Sequence, residues 1–153
     1  MKKKKSSSDE QCNDNSLLPL RRSLRVSAPL SDFRSITLPG ANSPVYRLVF
    51  RINIVNASSI SVKLFARKWT IVDMNGNYRV IEAENVFNTQ PILAPHGVFS
   101  FGGMHDFATL PLSVELSIAG VDQLLAPFLS YPYTFTARQL TPYPNQYPFT
   151  PPD

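Results

Sequence analysis

The sequence holds one cysteine, Cys12, and therefore no intrachain disulfide. A reducing compartment is the expectation for such a chain. Charge is scarce too: Asp, Glu, Lys and Arg make up 17% of 153 residues, and only six residues are glycine. No apolar stretch is long enough to cross a bilayer. The opening MKKKKSSSDE follows its lysines with polar and acidic residues, where a secretory signal would place an apolar run of about 7 to 15 residues. No segment sustains a helical apolar period. These absences argue against a disulfide scaffold, a membrane helix and a helical bundle. They leave an intracellular protein, cytoplasmic in the first reading, with no membrane partner. A mitochondrial address is the second reading, opposed by Asp9, Glu10 and Asp14 before the arginine-rich segment and by Pro19 and Pro29 within it.

What is present is apolar residues and proline. A 43% apolar content supports one core and leaves no room for a second domain. The fourteen prolines crowd the two ends. Net charge is equally uneven. Residues 1–34 carry eight Lys or Arg against four acids, whereas residues 35–153 carry seven of each. The pI of 9.4 is thus the property of a leader, and the remainder is neutral. Residues 1–22 are expected to be a disordered basic leader, residues 23–131 a folded domain, and residues 132–153 a Pro/Tyr-rich extension that straps across that domain or a partner.

The central pattern is β. Tyr46, Leu48, Phe50, Ile52 and Ile54 alternate with Arg47, Val49, Arg51, Asn53 and Val55, which predicts a strand with one apolar face. A short strand is expected around 24–30. The run 60–72 changes apolar parity between Leu64 and Phe65, as a β-bulge would require. Asn75-Gly76 predicts a type I′ hairpin turn, with Tyr78 to Ile81 returning. Further strands are expected at Ile92-Leu93, at Val98 to Phe101 ended by Gly102-Gly103, at 113–118 and at 124–129. Six to eight short strands predict an all-β antiparallel sandwich with extended tails, and Trp69 between its sheets.

YRLVFRINIVN and ARKWTIVDMNGNYRVIEAENVFNTQPILAP carry a resemblance to the ApaG domain family. The residues concerned are Val55-Asn56, Arg67-Lys68-Trp69, the Ile71 to Gly76 turn segment with its Ile-x-Asp-x-x-Gly pattern, and the Gln90 to Pro95 segment with its Gln-Pro-x-Leu-x-Pro pattern. The similarity spans roughly residues 23–131. It implies an immunoglobulin or fibronectin type III-like sandwich serving as a protein-interaction unit without a catalytic role. The family's Gly-x-Gly-x-x-Gly loop, associated with pyrophosphate, falls here on Ala83, Asn85 and Asn88, none of them glycine. A phosphate cradle needs closely approaching backbone amides, so neither a small anion nor a divalent cation is expected as a ligand.

No catalytic residue, metal site or cofactor is expected. Glu82 and Glu84 stand two apart in an extended chain, on one face, with nothing to separate their pKa values. His96 and His105 read as surface loop residues lacking the neighbours of a metal site. Ser, His and Asp occur without a nucleophile elbow. Asn56-Ala57-Ser58 is a glycosylation sequon, meaningful only in a secreted protein. The most informative charge feature is the acid-free interval from Arg34 to Lys68. If residues 56–59 close a hairpin, Arg47, Arg51, Lys63, Arg67 and Lys68 form a basic patch. The expected function is a non-enzymatic protein-interaction module. The alternative is a ribonucleoprotein component contacting RNA through the leader and this patch.

Overall fold

The computed structural model describes residues 23–143. The basic leader through residue 22, Cys12 within it, and residues 144–153 of the aromatic extension lie outside the described residues. Among the described residues nine strands follow in order: β1 (Leu24–Ile36), β2 (Val45–Asn56), β3 (Val62–Asp73), β4 (Tyr78–Glu84), β5 (Ile92–Leu93), β6 (Val98–Phe107), β7 (Pro111–Val121), β8 (Pro127–Leu129) and β9 (Tyr133–Thr134). They form an antiparallel sandwich. One sheet is β1-β2-β6; the other is β4-β3-β7-β8, with β5 also pairing β3 and β9 also pairing β7.

The alternation in β2 does what its period demands. Leu48, Phe50, Ile52 and Ile54 are buried, while Arg47, Val49, Arg51, Asn53 and Val55 take the opposite face. In β3 the ladder to β7 shifts between Leu64 and Ala66, so Phe65 is the extra residue of a bulge. The shift moves the inward set from Val62 and Leu64 to Arg67, Trp69 and Ile71, the last two opposite buried Leu116 and Val114. Trp69 lies between the sheets as expected, 5.2 Å from the Phe50 ring and 6.1 Å from Phe135, centroid to centroid.

Several local expectations change. β1 extends to Ile36 because a bulge between Ser27 and Leu30 takes up Pro29, whose missing N–H a regular ladder could not use. β6 does not end at Gly102-Gly103; it pairs β2 without interruption from Val98 to Phe107. A Cβ at Gly103 would come 3.0 Å from the Phe50 ring, a tighter approach than side chains ordinarily make, so glycine suits this position. The β3–β4 turn has positive φ at Gly76 (84°) and not at Asn75. The Asp73 carboxylate accepts from the backbone N–H groups of Asn75 and Asn77 at 2.9 Å each. That favours a type I turn closed by one left-handed glycine over the type I′ turn expected.

The most consequential correction concerns residues 56–59, which join no hairpin. β2 and β3 belong to different sheets, so this segment carries the chain across the sandwich. The crossing is held by Asn56, fully buried. Its Nδ2 donates to the carbonyls of Ile60, Leu93 and Ala94 at 2.8, 3.0 and 3.2 Å. Its Oδ1 accepts from the Ser58 N–H and hydroxyl. The sequon asparagine is therefore a structural hub whose amide nitrogen is already engaged.

The extension packs on its own domain over residues 133–143. β9 pairs β7, Phe135 and Leu140 are buried, and the Tyr143 N–H donates to the Phe33 carbonyl on the edge of β1. Gln139 fastens this strap. It accepts from the Tyr133 hydroxyl and the Thr136 N–H, and donates to the Ala28 carbonyl.

Candidate functional site

The five basic residues expected to cluster are divided by the fold. Arg47 and Arg51 lie on the outer face of the three-stranded sheet, and Lys63, Arg67 and Lys68 lie on β3 in the other sheet. Arg47 is spent on a cross-strand pair, its Nε and Nη2 donating to the two Asp106 oxygens at 2.8 and 2.9 Å. The hydrogen bond from Arg47 holds the Asp106 carboxyl below the usual carboxylate range, and the same bond raises the Arg47 pKa. Lys68 stands opposite Glu82. Arg67 shares the inward face of β3, and its Nη1 donates to the Asn85 carbonyl at 2.9 Å. The common patch fails because its members come from two sheets and because Arg67 turns inward after the bulge.

The segment that the resemblance sets against the family's glycine loop passes through left-handed backbone. Ala83 lies in β4, an ordinary place for alanine. Asn85 and Asn88 have φ of 69° and 64°, and Phe87 between them 54°. Asparagine tolerates this left-handed region better than most residues. The turn is tied down by Arg67, by the Asn85 N–H to the Phe65 carbonyl at 2.6 Å, and by Gln90 Nε2 to Asn85 Oδ1 at 2.9 Å. Phe87 stacks on Phe101 at 5.9 Å. Glu82 and Glu84 are exposed on the outer face of β4, as alternation required.

His96 lies in an exposed turn with φ 68°. His105 is not a loop residue. Because β6 continues past the glycines, it sits in the strand on the core side, edge-on to Phe107 at 4.6 Å, with a buried Nε2 that has no hydrogen-bond partner among the described residues. Burial pushes its imidazole below the ordinary histidine range; Arg79 adds to that shift and Asp106 opposes it.

The feature that sequence reasoning missed is the outer face of the three-stranded sheet. Leu30, Val49 and Met104 are 64%, 42% and 58% exposed. Val49 is directly opposite Met104, and Leu30 is opposite Arg51, itself opposite Gly102. A shallow groove of ≈ 410 Å³ lies on this face, its lining including Leu30, Asp32, Val49, Arg51 and Gly102. Alternation placed Val49, with Val55, on the face opposite the apolar one and gave it no partner there. The bulge that turns Leu30 outward and the continuation that brings Met104 alongside were not visible as a pattern.

Comparison with known proteins agrees with this architecture. The profile of the ApaG domain matches residues 40–122. Protein ApaG of Deinococcus radiodurans is 33% identical over 79 residues, covering 51% of this chain and 62% of that protein. Protein ApaG of Acidovorax sp. is 31% identical over 67 residues, covering 42% and 49%. The chain thus spans less than two thirds of the length of either relative. Among solved structures, a structural-genomics target superposes with a TM-score of 0.63 at 19% identity, covering 75% of this chain and 87% of that one. A Bordetella pertussis protein described as ApaA superposes with a TM-score of 0.56 at 18% identity, covering 75% and 95%. With a sandwich of the expected class and a family profile matching its central strands, the chain belongs to the ApaG domain family.

Proposed function

We propose that this ApaG domain is a protein-interaction module that works without turnover, and that its contact surface is the outer face of β1, β2 and β6. One observation carries the reading. Val49 and Met104 stand opposite each other and Leu30 lies diagonal to Val49, an exposed apolar patch flanked by Asp32, Arg51 and the Arg47–Asp106 pair. Apolar rows with a charged rim mark surfaces that another protein covers. The groove is shallow, which suits docking more than enclosure of a small substrate. The proposed partner is a protein.

The test is partner capture by the tagged full chain, compared with a Leu30→Gln/Val49→Thr variant, in the presence of nuclease. A partner held by the wild type and lost from a variant with unchanged melting supports the reading. Equal retention by both overturns this face as the contact. A partner lost on nuclease treatment, with affinity falling steeply as salt rises, favours RNA contact through basic residues instead.

A further inference from the structure

β6 is an edge strand of unusual openness. Among the described residues it pairs on one side only, with β2, and its ten residues run without a register shift. Its sequence, VFSFGGMHDF, contains no lysine, no proline and no bulge. These are the devices by which exposed edges are ordinarily kept from pairing with other chains. An unprotected edge of this length presents a row of backbone donors and acceptors to any extended strand.

From this edge we infer that β6 pairs antiparallel with β6 of a second copy of the chain, joining two three-stranded sheets into one of six. Charge selects the occupant and the register. On the outer face Arg51 stands opposite Gly102, and the position of a Gly102 Cβ is open except for the Phe50 carbonyl at 3.4 Å. Arg51 can therefore extend over β6 toward a strand on its far side, a span of roughly 10 Å across two strand spacings. The residue placed there should be acidic.

β6 itself carries one acid, Asp106, on the same outer face. A twofold axis through Met104 puts Asp106 of one copy opposite Gly102 of the other. Its carboxylate then lies between Arg47 of its own chain and Arg51 of the second. Although Arg47 engages both oxygens, a carboxylate has capacity for further donors. The same axis sets Met104 against Met104, so the Leu30, Val49 and Met104 rows of the two copies become one surface. Pairing is isologous and closes on itself, leaving no free β6 edge. The surface under "Proposed function" would be doubled by this pairing, but the pairing does not depend on that reading.

The experiment uses the full chain. In a Cys12→Ser background, Met104→Cys should form an interchain disulfide on mild oxidation, because residues directly opposite across an antiparallel pair have Cβ atoms about 4.5–5.5 Å apart, within slight adjustment of bridging distance. Ser100→Cys, out of register with itself about this axis, should remain uncrosslinked. Sedimentation of the wild type should show a mass rising to two chains with concentration. Met104→Lys, which opposes two lysines at the axis, should hold it at one. A monomeric wild type at all concentrations overturns the inference, as does crosslinking of Ser100→Cys in place of Met104→Cys. Should Met104→Lys lower the melting temperature, the cysteine pair decides alone. The Leu30→Gln/Val49→Thr variant should still form the dimer, which separates failure of pairing from failure of the partner surface.

Discussion

The guanidinium of Arg67 donates to the backbone carbonyl of Asn85 across 2.9 Å, from the inward face of β3 to the first left-handed residue of the 85–88 turn. The bond joins the Arg-Lys-Trp segment, which carries part of the family resemblance, to the turn where the family's glycines are not kept. Its donor is a charged, half-buried group serving a backbone acceptor, an interaction of about 1.5–3 kcal/mol. Arg67→Met should lower the unfolding free energy by about that amount in urea melts and raise amide exchange in residues 85–90. An unchanged exchange pattern would show that the turn stands without it.

Asn85 and Asn88 separate backbone tolerance from side-chain contact. Glycine at position 88 should be neutral or mildly stabilising, since φ 64° costs glycine nothing. Alanine there should cost about 1 kcal/mol. At position 85 glycine also loses the Gln90 contact, so its effect should be the less favourable of the two glycine substitutions. Thermal melts of the three variants test the order.

Asn56→Ala removes the donor to three carbonyls and the acceptor for Ser58 at a fully buried site. The expected loss is about 3 kcal/mol, in the range for buried groups left unsatisfied. Urea unfolding measures it. Asn56→Asp should do no better, because a carboxylate cannot donate to those carbonyls.

His105 makes stability depend on pH in a definite direction. Burial lowers its pKa in the folded chain, so the unfolded chain binds the proton more readily. The stabilisation is complete above the unfolded value of about 6.5 and is lost as pH falls from there through the folded value. Melting temperature should decline between pH 7 and pH 5, before carboxylates contribute. His105→Phe, which keeps a ring beside Phe107, should flatten that interval. A slope equal to that of the wild type would remove His105 as its source.

Trp69 is the sole tryptophan and reports on the strap, because Phe135 stacks against it. Phe135→Ala should cost about 3–5 kcal/mol and shift Trp69 emission to the red. Gln139→Ala, which releases the Tyr133, Thr136 and Ala28 contacts, should give a smaller shift in the same direction.

Much of the fold was legible because strand alternation is a local property. The faces of β2, the bulge at Phe65 and the place of Trp69 all follow from which neighbouring residues are apolar. The basic patch was not legible, since whether two strands are neighbours depends on the sheet each joins. Residues 56–59 resemble a hairpin turn, and only the carbonyls gathered around Asn56 make them a crossing between sheets. Gly102-Gly103 look like a strand end for a similar reason: the contact that favours glycine at 103 is made with the Phe50 ring on the adjacent strand.

The amino-acid order by itself determined the class of fold, the identity of the main inward faces and the family, because period-two burial and short motifs are written along the chain. Tertiary structure alone decided which charges are neighbours, that Arg67 and His105 face inward, and that Leu30, Val49 and Met104 share one exposed face. Those relations arise between strands distant in sequence, where bulges and sheet assignment, set by the packing of the whole core, choose the side on which each residue emerges.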